Sequence, residues 1–342
     1  MLKLNKNIKI IVNYLLGPAV FCLLAWYIYK QLQEQQSGRE SLLQLRYVFN
    51  TAGVIQLGWV VAMMFINWGL EAFKWQQLMK RLRPVSFMLA LKAVFAGTTW
   101  AIFTPNRVGD LMGRALFVET EKRAGATALT LLGSMAQLWV TFATGIIGIG
   151  LMAYSGKQAE GHFHWMSLLL AITAIAILIL TLLFFRLEWL VQWAHRFPRW
   201  HKQLQFVHVL DQFKYHEFLT ILLLSFIRYT VFLVQYFLLF DLFQIHLSLW
   251  DLWGSVSVVF LIMAIVPSLA MLTELGVRGQ TSIGVFSIFT TNLVGIVAVT
   301  FMIWLINLVI PALIGSYFFL QKSWVKVPPV VEDPNGSVNF DK

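Results

Sequence analysis

The stretch that decides the fold is residues 86–114, SFMLALKAVFAGTTWAIFTPNRVGDLMGR. Residues 86–103 are almost wholly apolar. The chain then runs into Thr104-Pro105-Asn106-Arg107-Val108-Gly109-Asp110 and on through a helical stretch reaching Arg114 and Lys122. Pro105 cannot sit inside a regular helix, and Gly109 frees the backbone beyond it. The apolar arm is too short to cross a bilayer comfortably, which takes roughly 17–25 residues. A second stretch has the same plan. Residues 252–266 run into Pro267-Ser268, then Thr273-Glu274-Leu275-Gly276-Val277-Arg278-Gly279, then apolar 282–290. Both read as re-entrant helical hairpins with Pro105, Gly109, Pro267 and Gly276 as the structural breaks. Broken backbone at membrane depth is tolerated only where protein buries it or water reaches it.

The rest of the chain supplies the membrane. Of 342 residues, 58% are hydrophobic and only 12% are charged, against about 25% charged in an ordinary soluble domain. The mean hydropathy is +0.71. These values exclude a soluble globular protein, a disordered chain and a nucleic-acid-binding domain. Apolar runs of spanning length fall at about 9–29, 53–73, 126–154, 166–185, 217–240 and 292–320. The first follows Lys3, Lys6 and Lys9 without a cleavage site and reads as a retained signal anchor. The expected fold is all-α and polytopic, with about six spanning helices plus two re-entrant hairpins. It forms one transmembrane domain over 1–324, followed by a disordered cytoplasmic tail at 325–342.

The net charge of +10 is largely a topology signal. Lys and Arg cluster at the N-terminus, at 74–83, at 186–216 and in the C-terminal tail, whereas 155–165 has only Lys157 and 241–251 has none. Both termini in the cytoplasm, in a bacterial inner membrane, satisfy this distribution. The 30–50 segment, with Lys30, Arg39 and Arg46, is then the exception. The 186–216 segment reads equally as an interfacial aromatic layer or as an ordinary cytoplasmic loop.

The two halves of the chain line up. Spans begin at 9, 53 and 126 and again at 166, 217 and 292, and the hairpin prolines are 105 and 267, giving offsets of 157, 164, 166 and 162. Halves at about 9–154 and 166–320 each read span, span, hairpin, span. Three spans is an odd number, so the second half inserts upside down. That is the inverted-repeat plan of many transporters, whose broken helices meet near the midplane at the substrate site.

Charge near the bilayer centre costs about 2.5–3.5 kcal/mol on insertion scales and marks a partner or a task. The candidate substrate-binding residues are Arg107, Asp110, Arg114, Arg228, Glu274 and Arg278. Arginine outnumbers acid, and arginine holds phosphate by bidentate hydrogen bonds. Helix N-termini after Pro105 and Gly276 would add backbone donors. Asp110 and Glu274 would orient the arginines or meet a cationic part of a headgroup. The alternative without a ligand pairs Arg228 with Glu274 or Asp110, and leaves Arg107 and Asp110 in a solvated loop. Glu71, one turn before Lys74, reads as a local helix pair, and Asn67 and Trp68 read as polar glue between helices. The seven histidines and Cys22 have no metal-ligand or disulfide spacing. No nucleotide, hydrolase or metal motif is present, so no metal, no cofactor and no catalytic residue is expected.

The residues also carry a resemblance. Phe73-Lys74-Trp75-Gln76-Gln77-Leu78-Met79 resembles the aromatic span end of the lysylphosphatidylglycerol synthase transmembrane family of flippase-like proteins. Thr104-Pro105-Asn106-Arg107-Val108-Gly109-Asp110-Leu111-Met112-Gly113-Arg114 is similar to that family's T-P-x-R-x-G-[ED]-x-x-R hairpin motif, with Asp110 for the usual Glu and Arg114 one position beyond the motif's last arginine. Arg228 resembles an arginine of the later span. Leu275-Gly276-Val277-Arg278 resembles the G-V-R-E motif, except that Gly279 stands where the acid is usual and Glu274 is the substitute. The resemblance covers roughly 5–322. It implies a lipid-handling membrane protein. In two-domain members a cytoplasmic domain transfers an aminoacyl group to phosphatidylglycerol, and the present chain ends before any such domain. The expectation is a flippase-like protein that translocates an anionic phospholipid or polyprenyl-phosphate lipid. The alternatives are a membrane-embedded transferase on a lipid-phosphate substrate and a non-catalytic cell-envelope partner. Membrane lipids are the expected partners and nucleic acid is not; a homo-oligomer or an envelope-enzyme complex stays open.

Overall fold

The structure is a computed structural model that describes residues 50–155, 163–185, 215–266 and 271–322, together with Cys22, Trp26 and Lys30. Among the described residues it is all-helical. In order, the helices are α1 Thr51–Met79, α2 Phe87–Ile102, α3 Gly109–Ala115, α4 Arg123–Tyr154, α5 Phe163–Phe185, α6 Tyr215–Leu242, α7 Leu249–Ile265, α8 Met271–Phe286, α9 Leu293–Trp304 and α10 Ile310–Lys322. A π-helical turn at Leu305–Val309 joins α9 to α10.

Five helical stretches are long and apolar enough to cross a membrane: Thr51–Met79, Thr120–Tyr154, Met166–Leu183, Tyr215–Leu242 and Leu293–Phe318. They coincide with five of the six expected spans. The span expected at 9–29, the 30–49 segment, the aromatic segment at 186–214, Pro267 and the tail at 325–342 lie outside the described residues, apart from Cys22, Trp26 and Lys30.

Local chemistry starts these helices where the apolar runs begin. Asn50 accepts from Gly53 N at 2.7 Å, Ser86 from Leu89 N at 3.3 Å, Ser248 from Asp251 N at 3.1 Å and Asn292 from Gly295 N at 2.9 Å. Each side chain satisfies one of the amides that a helix start leaves unpaired. Inside the helices the hydroxyls of Thr98, Thr144 and Thr300 donate to carbonyls four residues back. A polar side chain in a lipid-facing bundle is satisfied in this way within its own helix.

Lipid is the physical solvent for the outer surface. Leu168, Ile175, Leu178 and Leu182 of α5 are 55–62% exposed, and Trp59, Phe65 and Leu223 are exposed on other helices. An unbroken apolar surface of this extent is incompatible with water.

The first broken element folds back on itself. α2 and α3 pack through two glycines: a Cβ on Gly113 would stand 2.7 Å from the Gly97 Cα, and one on Gly97 would strike Asp110 Oδ1. The Arg83–Glu119 ion pair at 2.7 Å joins the entry to the exit of this element. Gly97→Val is therefore expected to wedge α3 off α2, at a cost of about 1–3 kcal/mol for overpacking. A thermal unfolding curve in detergent reads the loss, and an unchanged midpoint would refute the close packing.

Helices early and late in the chain pack in an exchanged manner. α2 lies along α10, where a Cβ on Gly315 would strike the Phe95 carbonyl and Thr99 Oγ1 donates to Ala312 O at 2.7 Å. Correspondingly, α7 lies along α4, where a Cβ on Gly148 would stand 2.6 Å from Ser257 Cβ. α1 and α6 pack on each other between them. Small residues let such backbones approach closely in lipid, where packing replaces the hydrophobic drive.

One expected break is absent. Gly276 lies inside α8, which runs unbroken over Met271–Phe286. One interior glycine costs only about 1 kcal/mol of helix propensity. The Glu274–Arg278 ion pair, four residues apart at 2.9 Å, forms only if the helix continues through Gly276.

Candidate functional site: an arginine-lined cavity between the two broken elements

The turn that follows α2 is built by its own sequence. Thr104 Oγ1 donates to Trp100 O at 3.2 Å and accepts from Gly109 N at 2.7 Å. Pro105 opens a 3-10 turn over Pro105–Arg107. Gly109 is required because a Cβ there would strike the Trp100 carbonyl. Asn106 and Arg107 both have positive φ, 51° and 58°. Asn accepts that conformation, but for Arg it is strained by about 1–2 kcal/mol. Two adjacent left-handed residues at the exposed tip of the turn are the kind of strain that collects at functional sites.

That tip faces a cavity of about 590 Å³. Arg107 lines it from the first broken element, Arg228 from α6, and Glu274 and Arg278 from α8. Trp68 of α1, Gln137 of α4 and Asn307 of the π-helical turn complete the polar wall, with Phe232, Phe260 and Trp304 among the aromatic part. Arg107 is exposed at the tip, whereas Arg228 and Arg278 have side chains only 13% and 15% exposed.

Behind Arg228 lies a buried ion network centred on Glu71. Glu71 Oε2 accepts from Arg228 Nη1 at 2.7 Å and meets Lys74 Nζ at 2.8 Å. Glu71 Oε1 accepts from Arg114 Nη1 at 2.8 Å. Arg114 in turn holds Asp110 with a two-pronged pair, Nε to Oδ1 at 2.8 Å and Nη2 to Oδ2 at 2.7 Å. Arg228 also donates from Nε to Asn67 Oδ1 and stacks over the rings of Trp68 and Phe232 at 5.1 and 5.8 Å. Lys74 is 2% exposed and reaches Gly133 O at 3.3 Å and Ser225 Oγ at 3.4 Å.

The expected site residues therefore divide. Arg107, Arg228, Glu274 and Arg278 come together on one cavity wall system. Asp110 and Arg114 sit behind it, locking α3 to α1 through Glu71. The hydrogen bonds of Arg228 run to Glu71 and Asn67, not to Glu274 or Asp110 as the ligand-free alternative had it. The physical reason is the close packing of α1 on α6, which puts Glu71 opposite Arg228. The expected Glu71–Lys74 helix pair exists, but it is one arm of a four-residue hub. A signal for that hub was present: Asn67, Glu71, Lys74 and Leu78 fall at helical spacing on one stripe of an apolar span, and all are buried. The α3 helix is only seven residues long and Gly276 starts no helix, so the expected helix N-termini add no anion site.

Cavity and network together carry Lys74, Arg107, Arg114, Arg228 and Arg278 against Glu71, Asp110 and Glu274. Five cations against three carboxylates leave a formal excess of two positive charges. In a low-dielectric bundle that excess attracts an anion. Among the described residues no group of His, Cys, Asp and Glu could hold a metal ion.

Fold and cavity define a class: a polytopic membrane protein with a cationic, aromatic-walled cavity between two broken helical elements. The transmembrane region of lysylphosphatidylglycerol synthase is the family whose model matches residues 14–315, and the chain belongs to that family. Membership places it among membrane proteins that act on lipids. No curated protein matches the chain.

Proposed function

We propose that the protein binds the phosphate-bearing headgroup of an anionic phospholipid or polyprenyl-phosphate lipid and translocates it between leaflets of a bacterial inner membrane. The observation that carries this reading is the cavity at the meeting point of the two broken elements, lined by Arg107, Arg228 and Arg278 inside an apolar bundle. Its size suits a headgroup, while the acyl or prenyl tails stay in the surrounding lipid. Arginine stays charged when desolvated and matches phosphate geometry, so it lowers the cost of bringing the headgroup to mid-membrane.

In this reading the two broken elements are re-entrant hairpins of inverted halves. The first dips in from the cytoplasm and the second from the outside, with both termini cytoplasmic. The exchanged packing of α2 on α10 and α7 on α4 supports such a pseudo-twofold plan. So do the acid–arginine pairs Asp110–Arg114 and Glu274–Arg278, which are both four residues apart and related by one shift of 164. Equilibration of lipid across the cavity then needs no nucleotide.

The test is reconstitution into liposomes. Headgroups are expected to change leaflet with the total mass of each lipid unchanged. Formation of a new lipid product would overturn translocation in favour of a membrane-embedded transferase.

A further inference from the structure

Gln137 and Asn307 reach the cavity from different elements, one on α4 and one on the π-helical turn. Each amide nitrogen donates to a backbone carbonyl: Gln137 Nε2 to Ser225 O at 3.4 Å, and Asn307 Nδ2 to Ile303 O at 3.2 Å. A carbonyl only accepts, so these bonds decide which end of each amide is the nitrogen. The other ends are oxygens. Gln137 Oε1 and Asn307 Oδ1 are buried and have no hydrogen-bond partner among the described residues. Asn307 itself is 7% exposed.

Buried acceptors are rarely left unmade, and a cluster at a cavity calls for a ligand or water that donates. The same wall holds three orphan donors, Arg278 Nε and the indole N–H groups of Trp68 and Trp304. A phosphodiester has acceptor oxygens alone. It answers the arginines and the indoles, but it gives nothing to Gln137 Oε1 or Asn307 Oδ1. An O–H or N–H on the ligand beyond its phosphate would satisfy those two oxygens directly. The π-helical turn supports a built site, because such a turn displaces side chains from α-helical register and recurs at functional positions.

We infer that the cavity selects a phosphodiester headgroup carrying its own hydrogen-bond donor, a hydroxyl or a primary ammonium, and that Gln137 and Asn307 are the selecting acceptors. The inference rests on the headgroup-binding reading above. It disfavours a doubly ionised phosphomonoester and a quaternary ammonium headgroup, neither of which offers a donor. A site built to accept from a ligand O–H or N–H rejects the analogue lacking it, because its own polar groups are then stranded.

Proteoliposomes of phosphatidylcholine carrying acyl-chain-labelled probes with intact headgroups test it. Phosphatidylglycerol offers hydroxyls, phosphatidylethanolamine an ammonium, and phosphatidylcholine and phosphatidic acid are the donor-free controls, the assay being run at a pH above the second ionisation of phosphatidic acid so that it carries no P–OH. At least one of the first two is expected to move about tenfold faster than either control, the worth of one buried hydrogen bond. Which of the two leads distinguishes hydroxyl from ammonium. Gln137→Met and Asn307→Leu are expected to erase that preference. The two changes sit on different elements, so a variant that fails to fold leaves the other as the test. Phosphatidic acid moving as fast as both donor-bearing probes, or a preference intact in both variants, would overturn the inference. Should no probe move at all, translocation falls, and native mass spectrometry on micelles of equal phosphatidylglycerol, phosphatidylethanolamine and phosphatidic acid decides the selectivity. Preferential retention of a donor-bearing lipid upholds it; equal retention overturns it.

Discussion

Glu71→Ala is expected to destabilise the protein by about 3–5 kcal/mol, the loss seen when one member of a buried ion network is removed. Glu71 is the single carboxylate shared by Lys74, Arg114 and Arg228, and its side chain is 6% exposed. Without it three cations face one another inside the bundle, and Asp110 neutralises only Arg114. The consequences spread because the hub ties α1 to α3, α4 and α6. Thermal and denaturant unfolding in detergent read the effect. Glu119→Ala is the control: Glu119 is 38% exposed, its pair with Arg83 is screened by solvent, and its loss is expected to stay within about 1 kcal/mol. If Glu71→Ala unfolds no more easily than this control, the hub does not hold the fold.

Arg228→Met is expected to give the opposite pattern, with the fold kept and the proposed transport lost. Removing Arg228 leaves Glu71 paired with both Lys74 and Arg114, so no buried carboxylate is stranded. Met retains much of the packing against Trp68 and Phe232 that the guanidinium makes now. The cavity, however, loses its least exposed arginine. Hydrogen bonds to charged groups are worth about 1.5–3 kcal/mol each, so a fall in headgroup translocation on the order of 100-fold is expected. Arg228→Lys should recover part of the rate, because a lysine supplies the charge without the planar fork. Measured with the same proteoliposomes and a matched unfolding curve, unchanged transport in Arg228→Met would refute the proposed site. The two variants test separately whether Glu71 holds the scaffold and whether Arg228 serves the cavity.

The motif around Pro105 was legible because each of its residues solves a local problem. Thr104 caps, Pro105 turns, and Gly109 lets the chain pass the Trp100 carbonyl. The span boundaries were readable from the apolar runs alone; the structure adds that Asn50, Ser86, Ser248 and Asn292 cap the helices that begin there. Gly276 misled for a complementary reason. A glycine signals freedom, but neighbouring residues decide whether the freedom is used, and here the Glu274–Arg278 pair spans it within one helix. Glu71 was underread because its lysine partner at i+3 already explained it. Local sufficiency hid two arginines arriving from elsewhere in the chain.

By itself the sequence determined that lipid is the solvent, that the first apolar arm breaks at the polar turn around Pro105, and that arginine dominates the charge placed among the apolar runs. Those properties follow from hydropathy over a window, from the missing N–H of proline, and from charge that costs too much to keep without use. Only the tertiary structure decided that Arg107, Arg228, Glu274 and Arg278 share a cavity while Asp110 and Arg114 stand behind it. It also brought in Gln137 and Asn307, which no motif marked. The physical reason is that helical periodicity assigns a residue to a face of its own helix. Which helix meets that face is settled by close backbone approach at Gly97, Gly148 and Gly315 and by long-range ion pairs such as Glu71–Arg228.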